Sequence, residues 1–229
     1  MTHVLAPKLD QGQQALGLAL PPDLQARLLQ YLDLISRWNQ VYNLTAVRDP
    51  HAMLVQHLLD CLAAWPALRR HLAARPVAAG GPPPRVLDVG SGAGLPGVVL
   101  ALCEPGWSIT CVDTVGKKAS FIRQAGLELG LNNLAVAHQR VEALQRPAFD
   151  LITSRAFASL EDFVGLTRAH LAPGGVWVAM KAHLSDAERQ AVPADVTVFH
   201  VEPLQVPQLG AERCLVWLRP QANLPGAAA

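Results

Sequence analysis

Asp88, Gly90, Gly92 and Gly94 stand in VLDVGSGAGLPG, residues 86–97, where an apolar run ends in an acid and then in glycines. Glycines at that spacing let a ligand approach the backbone without meeting a Cβ. Gly92-x-Gly94-x-x-Gly97 fits the dinucleotide fingerprint as a bare pattern, so NAD is one candidate ligand. A carboxylate at Asp88 would repel a pyrophosphate, however. The glycines also begin earlier, at Gly90, in a G-x-G-x-G run. An acid beside a close-approach turn suits a ligand with cationic groups. S-adenosylmethionine, with a sulfonium and an ammonium, is such a ligand. Asp113 ends the next apolar segment, where a carboxylate can take both hydroxyls of a ribose. That placement serves NAD and S-adenosylmethionine equally. After the third strand comes Gln139-Arg140-Val141-Glu142-Ala143. There Val141 can pack on an adenine ring and the Glu142 N–H can meet its N1. A plain helix start is the other reading.

A second set of polar groups lies upstream, in RWNQVYNLTAVRDP, residues 37–50. Arg37, Asn39, Asn43 and Arg48 can hydrogen-bond a guanine edge or grip phosphates, and Trp38 or Tyr42 can stack on a base. Trp38 and Tyr42 equally suit a core at helical spacing, and the asparagines suit helix capping and turns. Asp60 and His57 lie one face along on the next helix, and His57 is open between packing and substrate contact. Thr114 to Leu127 holds Lys117, Lys118 and Arg123 with no acid. Arg155 and Lys181 close the fourth and fifth strands, the edge at which α/β sheets bind ligands. These cations read as an RNA rim, with a solvated helix face as the alternative for the two lysines.

Which elements hold these groups? PPDLQARLLQYLDLISRWNQVYN carries Leu24, Leu28, Tyr31, Leu32, Ile35, Trp38 and Tyr42 at helical spacing. A second helix starts at Asp49-Pro50, acid cap followed by proline, and Pro66 is expected to open a third. RPVAAGGPPPR is a linker. Beyond it strand and helix alternate: RVLDVG, LPGVVLALCEP, WSITCVD, VGKKASFIRQAGLELG, NLAVAHQ, FDLITSRA, LEDFVGLTRAHLAPGG and VWVAMKA. SDAERQ reads as a short helix, and DVTVFHVEP and RCLVWLRP as an antiparallel edge pair. The expected organisation is a helical extension over 1–75, a linker at 76–84, an α/β domain over 85–220 and a loose tail at 221–229. Alternation after a helical leader predicts a doubly wound α/β sheet.

Composition narrows the classes. With 229 residues, 51% of them apolar and 16% charged, the chain affords a core and is not a disordered polymer. A net charge of +1 exerts no global pull on polyanions, so any nucleic acid must be met by local patches. Cys61, Cys103, Cys111 and Cys214 form no C-x-x-C, and no zinc pattern or other metal site is expected. They read as inert thiols in a reducing compartment. No signal peptide or bilayer-length apolar run is legible, so a cytoplasmic protein without a membrane partner is expected. The Asn43-Leu44-Thr45 glycosylation pattern then carries no meaning.

WNQVYNLTAVRDP, HLLDCL, VLDVGSGAGLPGVVLAL, GKKASFIRQ, SRAFASL and LAPGGVWVAMK occur in that order. Together they resemble the glucose-inhibited division protein B family of bacterial small-subunit rRNA methyltransferases, over residues 24 to 182. The linker and tail fit loosely, and Cys61 stands where that family has serine. The resemblance implies a Rossmann-like class I S-adenosylmethionine-dependent sheet with a helical N-terminal extension. It implies methyl transfer to N7 of one guanosine in the decoding-region loop of 16S rRNA, within the 30S subunit or a precursor, by a monomer. It places Gly90, Leu95, Val141, Glu142 and Arg155 at the cofactor; Asp88, Gly92, Gly94 and Asp113 are added from their own positions. Guanine N7 carries a lone pair and no proton, so no general base is expected. Three other readings stay open: a methyltransferase with a different RNA or small-molecule acceptor, an NAD-dependent oxidoreductase, and a non-catalytic RNA-binding module.

Overall fold

The computed structural model describes residues 3–75, 81–155 and 159–221. Residues 76–80 of the expected linker, Ala156-Phe157-Ala158 of the SRAFASL motif and residues 222–229 of the expected tail lie outside the described residues.

Among the described residues seven strands form one sheet: β1 Arg85–Val89, β2 Ser108–Asp113, β3 Leu134–His138, β4 Phe149–Arg155, β5 Leu171–Lys181, β6 Val196–Leu204 and β7 Arg213–Pro220, in the order β3-β2-β1-β4-β5-β7-β6. The first five run parallel; β7 enters antiparallel between β5 and β6. The expected antiparallel pair is present, but only β6 is an edge. Side chains alternate across the sheet as the strand period demands. Val86, Leu151 and Val178 face one apolar cluster; Leu87, Ile152 and Trp177 face the other. Crossover helices α5 (Gly97–Cys103) and α6 (Gly116–Glu128) pack in the first cluster, and α7 (Leu160–Thr167) in the second. The short α8, Asp186–Gln190, carries a capping box in which Ser185 accepts from the Glu188 N–H.

The upstream helices share the first cluster. They are α1 (Ala6–Ala15), α2 (Pro22–Tyr42), α3 (Pro50–Met53), a π-turn at Leu54–Leu59 and α4 (Asp60–Ala73). α2 stops because Asn43 takes a left-handed conformation, φ 49° and ψ 57°. Asp49 caps α3 by accepting from the Ala52 N–H at 2.8 Å. Gly12 lets α1 lie on the π-turn: a Cβ there would stand 2.7 Å from the Leu59 side chain.

Two expected boundaries move. Pro66 lies inside α4 and opens no new helix. Buried Leu62, Trp65, Ala67 and Leu68 on either side of it supply packing that outweighs one missing backbone bond. LAPGG is not a helix end but the irregular start of β5. Phe149 pairs with Leu171 and Leu151 with Val176, so the extra residues bulge out, with Gly174 at φ 74°.

Candidate functional site

The glycine loop follows β1 and turns three times through left-handed glycines, Gly90 (φ 65°), Gly92 (φ 58°) and Gly94 (φ 83°). The Gly90 and Ser91 N–H groups donate to the Val112 carbonyl at 2.9 and 3.2 Å, pinning the loop to β2. Asp113 binds both sides of the neighbouring turn: Oδ2 accepts from the Gly92 N–H at 2.9 Å, and Oδ1 from the Val115 N–H at 2.8 Å. Each oxygen keeps a lone pair free for a ligand hydroxyl. A Cβ on Gly92 would meet only the Gly90 carbonyl, at 3.9 Å, so that face of the loop is open.

Asp88 lies under the loop, fully buried, and is not part of the cleft wall. Its Oδ2 accepts from the Gly97 N–H at 2.9 Å, and Oδ1 has no partner among the described residues. Its carboxylate therefore acts on the ligand only through the backbone it holds and through its charge. Burial pushes its pKa up to about 6, against the pull of the Gly97 N–H and the Ser91 hydroxyl. The folded chain thus holds this proton more tightly than the unfolded chain does. The Asp88 contribution to stability is largest below about pH 4, falls as pH rises through about 6, and is constant above. Carbon-detected titration of labelled aspartates should show one buried carboxyl with a midpoint near 6.

The helical layer grips the same loop from outside. Tyr31 of α2, fully buried, donates its hydroxyl to the Ala93 carbonyl. Burial, first of all, raises its pKa well above the usual value, so it stays a donor. Removing the hydroxyl leaves a buried carbonyl unpaired, at a cost of about 1–3 kcal/mol. Tyr31→Phe should lower the melting temperature by about 2–12 °C in scanning calorimetry.

Opposite the loop, a cleft of about 630 Å³ runs between the C-terminal ends of β4 and β5 and the segment after α2. Its charged floor comes from three distant places. Arg155 ends β4 and donates to the Gln56 carbonyl at 2.6 Å and to Asp60 Oδ2 at 3.0 Å. Arg213 opens β7 and donates through Nε to Asp60 Oδ1 at 3.2 Å. One buried carboxylate, 2% exposed, therefore orients two guanidinium groups and leaves one positive charge over. The π-turn ahead of Asp60 places the Gln56 carbonyl, His57 and Asp60 together on the cleft wall.

The expected site residues divide into groups. Gly90, Gly92, Leu95, Arg155, Lys118 and Lys181 all border the cleft. Lys181 is engaged by Glu188 at 2.7 Å. Val141 is buried beside Val89 and Val112 in the second cluster, on a short 3-10 turn, with Glu142 exposed and 3.2 Å from Arg140. Gly94 is filled in by its neighbours: a Cβ would sit 2.6 Å from Val98 Cγ2. Asn39 is buried and clasps the following loop, accepting from the Thr45 N–H at 3.0 Å and donating to the Val47 carbonyl at 3.3 Å. Asn43 accepts from Arg48 at 3.1 Å, and both are exposed. Arg37 pairs with Glu128 at 3.4 Å, while Lys117 and Arg123 are exposed on α6. Trp38 packs edge-on against Phe121, centroids 5.4 Å apart.

Sequence reasoning did not single out Tyr31, Thr45 or Arg213 for the site, and noted Asp60 only as a neighbour of His57. An acid inside the apolar run HLLDCL was the one available signal for Asp60. Among the described residues, no group of three or more His, Cys, Asp or Glu side chains could hold a metal ion, and no helix is long and apolar enough to cross a membrane.

Comparison with known proteins places this geometry. The family described as GidB, rRNA small subunit methyltransferase G, matches residues 24–216. The chain is 58% identical over 214 residues to the ribosomal RNA small subunit methyltransferase G of Methylibium petroleiphilum, covering 93% of this chain and 94% of that one. It is 57% identical over 215 residues to the protein of that name from Acidovorax sp. strain JS42, covering 93% and 95%. Among solved structures, a ribosomal protein L11 methylase from Lactobacillus delbrueckii subsp. bulgaricus superposes with a TM-score of 0.50 at 16% identity, over 72% of this chain and 77% of that one. That likeness concerns the fold alone. The seven-stranded order with one antiparallel insertion is the class I methyltransferase sheet expected above.

Proposed function

The chain belongs to the rRNA small subunit methyltransferase G family, and from that premise we propose how its cleft performs the reaction. It is an S-adenosyl-L-methionine-dependent methyltransferase of small-subunit rRNA, and the atom methylated is guanine N7. The target is one guanosine in the decoding-region loop of 16S rRNA, presented in the 30S subunit or a precursor. The enzyme acts as a monomer in the cytoplasm.

The open face of the glycine loop is the observation that carries the reading: a ligand can lie against Gly90 and Gly92, whose turn the Asp113 carboxylate holds from β2, with Arg155 across the cleft. S-adenosylmethionine supplies an electrophilic methyl group there. Asp113 takes the ribose hydroxyls, Arg155 with Asp60 behind it faces the carboxylate, and Leu95, Val141 and Glu142 complete the nucleoside side. Asp88 and Gly94 hold the loop in shape. Because guanine N7 presents a free lone pair, no residue has to remove a proton. The chain contributes in-line placement and exclusion of water, effects that reach roughly 7–11 kcal/mol when geometry is good.

Arg37, Arg48, Lys117, Lys118, Arg123 and Lys181 supply phosphate contacts around the opening, and Asn43 a polar contact beside them. Asn39 serves by holding the loop that lines the cleft. RNA affinity therefore falls with added salt. The deciding experiment is mass mapping of 16S rRNA from cells with and without the gene. Loss of one N7-methylguanosine on deletion is expected, and an unchanged pattern overturns the reading.

A further inference from the structure

RWNQVYNL carries two aromatic rings just ahead of the cleft, and the structure separates their roles. Trp38 is spent on packing: it lies against the first apolar cluster, edge-on to Phe121 of α6 with centroids 5.4 Å apart. Tyr42, one helical turn further on, is 41% exposed. Its ring leans on Trp38, centroids 5.1 Å apart and planes at 36°, so the exposed surface belongs to the side away from Trp38. Val41 beside it is 70% exposed, and α2 ends here, at the left-handed Asn43. The next two residues, Leu44 and Thr45, already border the cleft. A planar, mostly apolar face therefore stands at the lip of the opening. A cation stands with it: Arg48 donates to Asn43 Oδ1 at 3.1 Å and has no acid partner among the described residues, while Asp49 is engaged as the α3 cap. The exposed ring is also firmly backed. Behind Trp38, Phe121 stacks on Tyr31 with centroids 6.4 Å apart, and Tyr31 donates its hydroxyl to the Ala93 carbonyl. One run of side chains thus ties Tyr42 to the glycine loop.

We propose that Tyr42 is a stacking platform for an unpaired base of the rRNA loop that carries the target guanosine, and that it sets the register of that loop against the cleft. Bases splayed out of single-stranded loops are held by stacking on aromatic side chains, whatever their sequence. A ring already braced by Trp38 gives up little side-chain freedom on binding. Arg48 holds a phosphate beside the stacked base, and Lys118 one nearer the cleft. Because the platform is tied to the loop on which the cofactor lies, stacked base and methyl donor keep a set separation, which selects one guanosine among its neighbours. This inference rests on the rRNA reading above.

The test uses the full chain, 30S particles and tritium transfer from labelled S-adenosylmethionine, for wild type, Tyr42→Phe and Tyr42→Leu. Phenylalanine keeps the aromatic face and loses the hydroxyl; leucine keeps apolar bulk against Trp38 and loses the face. KM for 30S particles should rise about 5- to 100-fold in Tyr42→Leu and stay near the wild-type value in Tyr42→Phe. S-adenosylhomocysteine affinity and melting temperature should be unchanged in both, which a packing role for Tyr42 would not leave so. A wild-type KM in Tyr42→Leu overturns the proposal, and so does an equal rise in Tyr42→Phe, which would assign the effect to the hydroxyl. A second measurement places photoreactive benzoylphenylalanine at position 42. Light should join it to a nucleotide of the loop that carries the target guanosine. A crosslink to a ribosomal protein or to a distant rRNA segment overturns the proposal. Absence of methyl transfer to 30S particles by wild type would instead count against the function proposed above.

Discussion

Asp60→Asn is expected to lower the melting temperature by about 10 °C and methyl transfer by at least about 100-fold. Asp60 is 2% exposed and receives Arg155 on one oxygen and Arg213 on the other. Breaking a buried ion pair by removing one partner costs about 3–5 kcal/mol, because the charge left behind has lost both water and its counterion. In a chain of this size each kcal/mol moves the midpoint by about 2–4 °C. The kinetic loss follows from geometry: a displacement of about 1 Å at a positioning group costs about 100-fold, and this carboxylate sets two groups at once. Scanning calorimetry and tritium transfer to 30S particles check both parts. A variant that melts normally and turns over normally would show that the two arginines hold their places without Asp60.

Gly94→Ala should be nearly as damaging, for a different reason. Gly94 sits at φ 83°, and a Cβ there would stand 2.6 Å from Val98 Cγ2 and 3.1 Å from the Tyr31 hydroxyl. Left-handed backbone costs an L-residue about 1–2 kcal/mol, and overpacking typically about 1–3 kcal/mol more. The clash lies where α2, α5 and α6 converge on the loop. Stability should fall by about 2–5 kcal/mol and S-adenosylhomocysteine affinity by more than about 100-fold. Gly92→Ala separates the two contributions. Its Cβ would meet no protein atom closer than 3.9 Å, so stability drops only by the backbone strain, while the methyl occupies space the ligand needs. Equal melting temperatures for the two variants would contradict this division.

The sheet was legible because each strand is a short apolar run closed by a turn signal, and each crossover helix repeats its apolar face. Gly90 could be placed at the cleft for the same reason, since strand ends in such a sheet lie at its ligand edge, whereas the burial of Asp88 beneath the loop depends on packing that no local pattern announces. Features that depend on distant partners were not legible. Arg213 meets Asp60 across 153 residues, and no local pattern announces it. Tyr31 was visible as one apolar position on a helical stripe, yet its hydroxyl holds the Ala93 carbonyl. In RWNQVYNLTAVRDP the polar types were noticed and their partners were not: Asn39 faces inward to its own loop, and Arg37 is paired with Glu128. Pro66 and LAPGG misled because local breakers were outweighed by packing on α4 and by a bulge in β5.

The π-turn at Leu54–Leu59 inserts the equivalent of one extra residue into an otherwise α-helical run from Pro50 to Ala73. Excising a single residue from it would let the run relax to ordinary α-helical winding with the flanking segments close to their present angles, because the wider turn is what absorbs the extra residue. The outward swell that carries Gln56 and His57 to the cleft wall would flatten, while Asp60 kept its angle towards both arginines. The same deletion would ease the local winding and draw the Gln56 carbonyl away from Arg155, so the irregular turn trades regular helix bonding for a contact at the cleft.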